Sequence, residues 1–200
     1  MTLYTPISSK PNQIYTSCYC EENIWHLCDK IKKSNILTEN QNPYVIFISN
    51  DNKTVPLWSQ SSSKTEDGLV IWDYHVILII KADQNCTVFD LDTNLPYPCD
   101  FNSYTQATFK SDDKILEQFH RKFRVIPFED YLSNFASDRQ HMKDDNGQWF
   151  QPPPDYPCIQ TSKSTNNIND FISMKPNACP GEVVSLEKFN DIFSCDNDIK

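Results

Sequence analysis

Cys18-Tyr19-Cys20 stands directly before an amphipathic pattern, with Ile24, Leu27, Cys28 and Ile31 at the i, i+3, i+4, i+7 spacing of one helix face. A cysteine at the mouth of a helix meets backbone N–H groups that lack intrahelical partners, and the positive end of the macrodipole. Both favour a thiolate, so Cys20 is a candidate nucleophile. Free cysteines also serve as small core residues, and Cys18, Cys20 and Cys28 can be read that way. A thiol does acyl-transfer chemistry only with a base beside it.

That base is sought in the strongest β signal of the chain, residues 69–80, which contains His75. A turn at 81–85 follows, and residues 86–93 return as a second strand carrying Asp90 and Asp92. A loop centred on Ala82 and Asp83 sets His75 opposite Asp90; one centred on Asp83 and Gln84 sets it opposite Asp92. In both registers carboxylate and imidazole share a face, with Cβ atoms about 5 Å apart when directly opposed. A buried histidine can be simply a core residue, and an aspartate at a strand end a turn cap. Cysteine, histidine and aspartate together form the set in which a thiolate attacks, an imidazole moves a proton and a carboxylate orients the ring. His26 points away from Cys20, His120 is expected on an exposed helix face, and His141, in a polar loop, is the one rival base.

The remaining chain supplies the frame. Two hundred residues, 38% of them apolar and 12% aromatic, suit one domain with a sizeable core. Residues 1–14 are read as a flexible arm and 15–200 as the single domain. Three glycines against 13 prolines indicate loops stiffened by proline. Residues 44–49 form a buried strand, and 54–58 a weaker one at an edge because of Pro56. Ser111 is expected to cap a helix through Ile115, Leu116 and Phe119, residues 129–135 form a short helical turn, and Ser185 caps a last helix. Residues 136–147 read as a polar loop, and Gln151–Pro157 as a rigid polyproline-like connector.

Other function classes find little support. A net charge of −9 with dispersed acids argues against nucleic acid or an anionic membrane as partner. No run approaches the roughly 18 apolar residues of a membrane span, and no secretory signal is recognisable. The eight cysteines and the two N-x-[ST] sequons are therefore read as those of a reduced, intracellular chain, cytoplasmic and small enough for the nucleus as well. No CxxC or HxxxH pair supports a metal site, and no glycine-rich phosphate loop or GxSxG elbow is present, so no cofactor is expected.

Several longer words carry more. Ser17-Cys18-Tyr19-Cys20-Glu21-Glu22-Asn23, Val70-Ile71-Trp72-Asp73-Tyr74-His75-Val76, Asp90-Leu91-Asp92-Thr93, Phe123-Arg124-Val125-Ile126, Asn134-Phe135-Ala136-Ser137-Asp138-Arg139, His141-Met142-Lys143-Asp144 and Asn169-Asp170-Phe171-Ile172-Ser173-Met174 closely resemble the protein N-terminal glutamine amidohydrolases. The likeness runs in register from about Tyr15 to Phe193. It implies a monomeric α/β fold of the papain and transglutaminase type, with a largely antiparallel sheet packed against the nucleophile helix. It implies a Cys20, His75, Asp90 triad, choosing Cys20 over Cys18 and Asp90 over Asp92. It also implies conversion of an N-terminal glutamine of a protein or peptide to glutamate with release of ammonia, feeding N-degron degradation. A substrate's free α-ammonium calls for a carboxylate, and Glu21, beside the nucleophile, and Asp138, in a family-like word, are the candidates. As a first-turn acid Glu21 also suits a helix N-terminus without any role in binding. A papain-like protease or transglutaminase would share the triad, and a non-catalytic module that recognises N-termini could retain it as a relic.

Overall fold

The computed structural model describes residues 7–194. Its centre is a six-stranded sheet in the order β6-β5-β4-β1-β7-β8, every neighbouring pair antiparallel. The strands are β1 (Asn42–Ser49), β4 (His75–Lys81), β5 (Cys86–Phe89), β6 (Cys99–Asp100), β7 (Lys122–Pro127) and β8 (Glu182–Ser185). β2 (Val55–Leu57) and β3 (Val70–Trp72) form a separate two-stranded ribbon, so the Pro56 strand has a free edge as its proline requires.

Side chains alternate across a strand, and here both faces are covered. Val45, Phe47, Val76, Leu78 and Ile80 lie on one face under α1 (Cys20–Ser34), α3 (Phe128–Asn134) and α4 (Ile168–Ile172). Ile46, Ile48, Ile77, Ile79 and Val88 lie on the other under α2 (Phe101–Thr108) and α5 (Leu186–Phe193). Burial on both sides is why β1 and β4 read as unbroken apolar runs rather than as alternating ones. The result is an α/β domain with a helix layer on each face of an antiparallel sheet.

Three expectations need correction. The long β run breaks at Asp73, whose carboxylate accepts the Tyr74 N–H and whose carbonyl accepts the Ser49 hydroxyl, so β3 and β4 part company there. The returning strand stops at Phe89 because Asp90 begins an Asx-type turn, its Oδ1 accepting the Asp92 N–H at 2.9 Å. The helix expected from Ser111 is absent. Ser111 caps only a short 3₁₀ turn, Asp112–Lys114, a second one spans Glu117–Phe119, and Leu116 is exposed. Fully buried Arg121 takes the carbonyls of Phe109 and Lys110 and the Asp112 carboxylate, which holds this segment as a strap around the guanidinium. His120 thus lies on no helix; it is half-buried with its Nε2 against the Ile115 carbonyl.

Just before the strap lies α2, for which the sequence offered no reading; its N-cap Asp100 accepts the Ser103 N–H, and Phe101, Tyr104 and Thr108 are buried. Residues 7–14, the described part of the expected arm, are tied to the body. Ile7 is fully buried in the core, and Lys10 Nζ donates to the Thr93 carbonyl. Residues 1–6 lie outside the described residues.

Phe47 sits at the middle of the first face, in contact with the rings of Tyr74, Tyr131, Phe135 and Phe171. Phe47→Ala is expected to lower unfolding stability by about 3–5 kcal/mol, the usual cost of truncating a packed phenylalanine. Urea denaturation of the two proteins, with unchanged slope, measures it.

Candidate active site

The turn before α1 is built to deliver Cys20. Asn23, in the first turn of the helix, grips Thr16 by accepting its N–H and donating to its carbonyl, 2.8 and 2.9 Å. Between them the chain reverses through Cys18, whose φ of 67° lies in the left-handed region. Glu21, Glu22 and Asn23 are all buried, an unusual run of polar residues for a helix face. Each has a partner. Glu22 receives a bidentate contact from Arg139, Nε to Oε1 at 2.9 Å and Nη2 to Oε2 at 2.8 Å, and the same guanidinium donates to the carbonyls of Pro154 and Tyr156. The Glu21 carbonyl accepts the Tyr131 hydroxyl, and its carboxylate Oε2 accepts the Tyr74 hydroxyl at 2.9 Å.

Cys20 itself is nearly buried, and its sulfur takes a backbone hydrogen bond from Val76, the residue after His75. The helix mouth does not make it a resting thiolate. Burial pushes the thiol well above its ordinary value, the charges of Glu21 and Asp92 add to that, and the Val76 N–H opposes them only in part.

His75 is wholly buried at the start of β4. The hairpin register pairs Leu78 with Phe89 and Lys81 with Cys86, closing a four-residue loop at 82–85. Continued past Phe89, this register sets His75 level with Asp92 and diagonal to Asp90 on the same face. Because β5 ends early, Asp90 turns in and its Oδ1 accepts the His75 Nε2–H at 3.0 Å. The Tyr104 hydroxyl donates to Asp90 Oδ2 at 2.8 Å, and Gln60 Nε2 approaches the same oxygen at 3.5 Å. Burial disfavours the Asp90 charge, but the His75 ring and these hydrogen bonds outweigh it and hold the carboxyl below its usual range. His75 is likewise desolvated, yet Asp90 raises it above its ordinary value. Its Nδ1 is buried with no hydrogen-bond partner. The Trp72 ring stacks on the imidazole at 5.1 Å and shields the couple from water.

Cys20 and Trp72 open onto a cleft of about 430 Å³ that is also lined by Cys18, Tyr74, Asp92, His141 and Phe150, with His75 and Asp90 buried behind its wall. A larger hollow of about 800 Å³ between α2 and α5 contains none of them. A buried helix-borne thiol, an imidazole one residue from the thiol's backbone partner, and a carboxylate on one ring nitrogen that leaves the other open are the groups acyl transfer requires.

A profile of the N-terminal glutamine amidase family matches residues 15–193. The chain belongs to this family. It is 51% identical over 189 residues to proteins from Bos taurus and Homo sapiens, each named protein N-terminal glutamine amidohydrolase; the alignments span 92% of this chain and 88% and 89% of theirs. A Danio rerio protein of the same name is 48% identical over 188 residues, 93% of this chain and 92% of its own.

Within this amidase chain the expected residues do not all converge. Cys20 Sγ lies 3.7 Å from Glu21 Oε2, and His75 is held by Asp90. Asp138 joins neither pair: its carboxylate accepts the Gln140 N–H and the Asn166 side chain, shaping a turn, and it is not among the cleft-lining residues. Asp92, readable as a strand-end cap, instead lines the cleft and accepts the Tyr15 hydroxyl at 2.6 Å. His26 packs edge-on against Trp25 and Tyr156. His141 does reach the site, its Nε2 lying 3.5 Å from Glu21 Oε1 and 3.3 Å from the Tyr74 hydroxyl. Tyr104, Gln60, Trp72 and Arg139 were not foreseen; of these, Trp72 and Arg139 stood inside family-like words.

Among the described residues, His75, Asp90 and Asp92 are the one cluster with ligand atoms close enough for a metal ion, all within 4.8 Å. Those atoms are committed to each other and to Tyr104 and Tyr15, so the cluster reads as a hydrogen-bonded chain. The seven described cysteines are free thiols, and no described helix is long and apolar enough to cross a membrane.

The His75–Asp90 couple has a defined effect on stability. Asp90, depressed in the fold, stabilises above its unfolded value near pH 4 and loses this as pH falls; His75, raised in the fold, stabilises below about pH 6.5 and loses this as pH rises. The difference in melting temperature between wild type and His75→Gln should therefore be largest between roughly pH 4 and 6.5 and shrink above it. A scan by calorimetry across that range tests this.

Proposed function

We propose that Cys20, His75 and Asp90 carry out the reaction named for the family, hydrolysis of the side-chain amide of an N-terminal glutamine to glutamate with release of ammonia. The observation that supports this most is the proton arrangement around His75. Asp90, fully satisfied as an acceptor, holds the ring by Nε2–H and so leaves the buried Nδ1 as the open lone pair, the form a base must take.

The thiol rests neutral, so attack is coupled to proton loss. Cys20 Sγ gives its proton to His75 Nδ1 as the sulfur bonds to the amide carbon. The imidazolium then protonates the departing nitrogen, leaving a γ-glutamyl thioester and ammonia. Water attacks the thioester carbon, giving its proton to His75, and the C–S bond breaks to return the thiol and glutamate. The Cys20 backbone N–H, at the first helical position, is the natural donor to the tetrahedral oxygen. Asp90 never needs to take the proton: its hydrogen bonds hold it ionised and stabilise the imidazolium.

A helix carrying the thiol on one face of an antiparallel sheet, with the histidine on an adjoining strand, is compatible with a papain or transglutaminase type of fold. On the same reading the enzyme acts as a monomer without metal or cofactor in cytoplasm or nucleus, and its N-terminal glutamate product enters N-degron degradation. The α-ammonium is assigned to the neighbourhood of Glu21 rather than Asp138, since only Glu21 adjoins the thiol.

Three peptides separate the readings: one with N-terminal Gln, one with N-terminal Asn and one with internal Gln, followed by mass spectrometry and ammonia detection. Ammonia from the first alone, abolished in Cys20→Ala with the fold intact, is the expected result. Backbone cleavage, or equal action on internal Gln, would move the chain to the protease or transglutaminase class. The acid limb of kcat/KM should have its midpoint above about pH 6.5, because the general base must be neutral and Asp90 raises it. A midpoint below that value would contradict His75 as the base.

A further inference from the structure

Tyr74, Glu21 and His141 form a second polar constellation at the cleft, and counting donors fixes where its hydrogens lie. Tyr74 has one O–H, given to Glu21 Oε2 at 2.9 Å. Its oxygen can then only accept, and the group facing it is His141 Nε2 at 3.3 Å. The same nitrogen lies 3.5 Å from Glu21 Oε1, a buried oxygen with no hydrogen-bond partner of its own. Both neighbours of Nε2 are acceptors, so in the neutral ring the proton sits on Nε2. His141 Nδ1 is left as an acceptor, and it too is buried with no partner.

An N-terminal glutamine differs from an internal one by a charged donor, the α-ammonium. Binding it in a cleft takes an acceptor and a nearby negative charge in poor solvent. Glu21 supplies the charge but is fully buried, whereas Tyr74 and His141 line the cleft. The constellation is also close enough. Glu21 Oε2 lies 3.7 Å from Cys20 Sγ, and a glutamine spans about 5 Å from its α-nitrogen to its amide carbon. An amide carbon held at the thiol therefore leaves the α-nitrogen within reach of this wall.

Resting on the amidohydrolase reading, we propose that His141 is a specificity-determining residue that accepts a hydrogen bond from the substrate's α-ammonium at Nδ1. Glu21 behind it balances the ammonium charge, and Tyr74 is a positioning residue that fixes the ring. The two histidines of the site thus divide the work: His75, held by Asp90, moves protons at the amide, and His141, held by Glu21 and Tyr74, reads the N-terminus.

The test uses the full chain and two peptides of identical downstream sequence, one beginning with glutamine and the other with a 4-carbamoylbutanoyl group, which is glutamine without its α-amine. The quantity read is the ratio of kcat/KM values, or its lower limit. His141→Ala should lower that ratio about ten-fold or more, through KM for the glutamine peptide. Tyr74→Phe should lower it less. His141→Asn, whose amide falls near the Nδ1 position, should retain more of the ratio than His141→Gln, whose amide falls near Nε2. Losses that are equal for both peptides, leaving the ratio intact, would overturn the proposal and reduce His141 to a structural wall. Should His141→Ala fail to fold by circular dichroism, the Asn and Gln variants decide, and equal ratios for the two overturn it. A wild-type chain that releases ammonia from neither peptide would instead overturn the amidohydrolase reading, and this inference with it.

Discussion

The seating of the first turn of α1 is the constraint on which the site depends. Three consecutive polar residues, Glu21, Glu22 and Asn23, are buried directly after the thiol. An uncompensated carboxylate there would cost several kcal/mol, so the turn is stable only where partners converge on it. Those partners come from distant parts of the chain. Arg139 binds Glu22, Tyr74 and Tyr131 bind Glu21, and Asn23 closes the entry turn on Thr16. Arg139 also carries the 154–156 backbone on its remaining N–H groups. One guanidinium therefore fixes the nucleophile helix and the 154–156 segment to each other, with geometry that a lysine could not reproduce.

The second device is a mismatch of strand lengths. β4 runs on to His75 while β5 stops at Phe89, and the overhang leaves room for Asp90 to swing onto the imidazole instead of pairing along the strand. A strand end is a natural place for this, because the ladder no longer dictates where the backbone goes. The position is then determined from outside the hairpin, by Tyr104 on α2 and by Gln60 after the β2 strand. The carboxylate is ionised in a dry place because each of its oxygens is held, and Trp72 over the imidazole keeps it dry.

Electrostatically the cleft is set against a resting thiolate. Desolvation and the carboxylates Glu21 and Asp92 raise Cys20, and the Val76 backbone contact lowers it only in part. In the proposed mechanism a thiol that gives up its proton only to His75 in the course of attack is protected from chance oxidation and alkylation, since the thiolate is the reactive form. The same negative field favours a cationic N-terminus in the cleft, so the charges that keep the thiol quiet also suit the substrate class named for the family.

Much was legible in the sequence because it is local. Residues that recur at helical spacing gave α1 and its start at Cys20, and a long apolar run gave β4; alternation placed His75 and an aspartate on one face in either register. Ser185 capped the helix it was expected to cap. Long words in register identified the family, and it is that likeness, not spacing, from which the proposed roles of Cys20 and Asp90 come. What tertiary structure alone decided is everything that depends on partners far along the chain. The helix expected after Ser111 gave way to Arg121, whose buried charge claims the carbonyls around it, and α2 emerged beside it to bring Tyr104 to Asp90. Glu21 and Glu22 looked like ordinary first-turn acids, and their burial follows from Tyr74 and Arg139, 53 and 117 residues away. His141 sits in a loop without periodicity, so no local pattern could say that it folds back onto the nucleophile turn. Secondary structure is fixed by neighbours within a few residues, whereas a buried charge is fixed by whichever distant group can neutralise it.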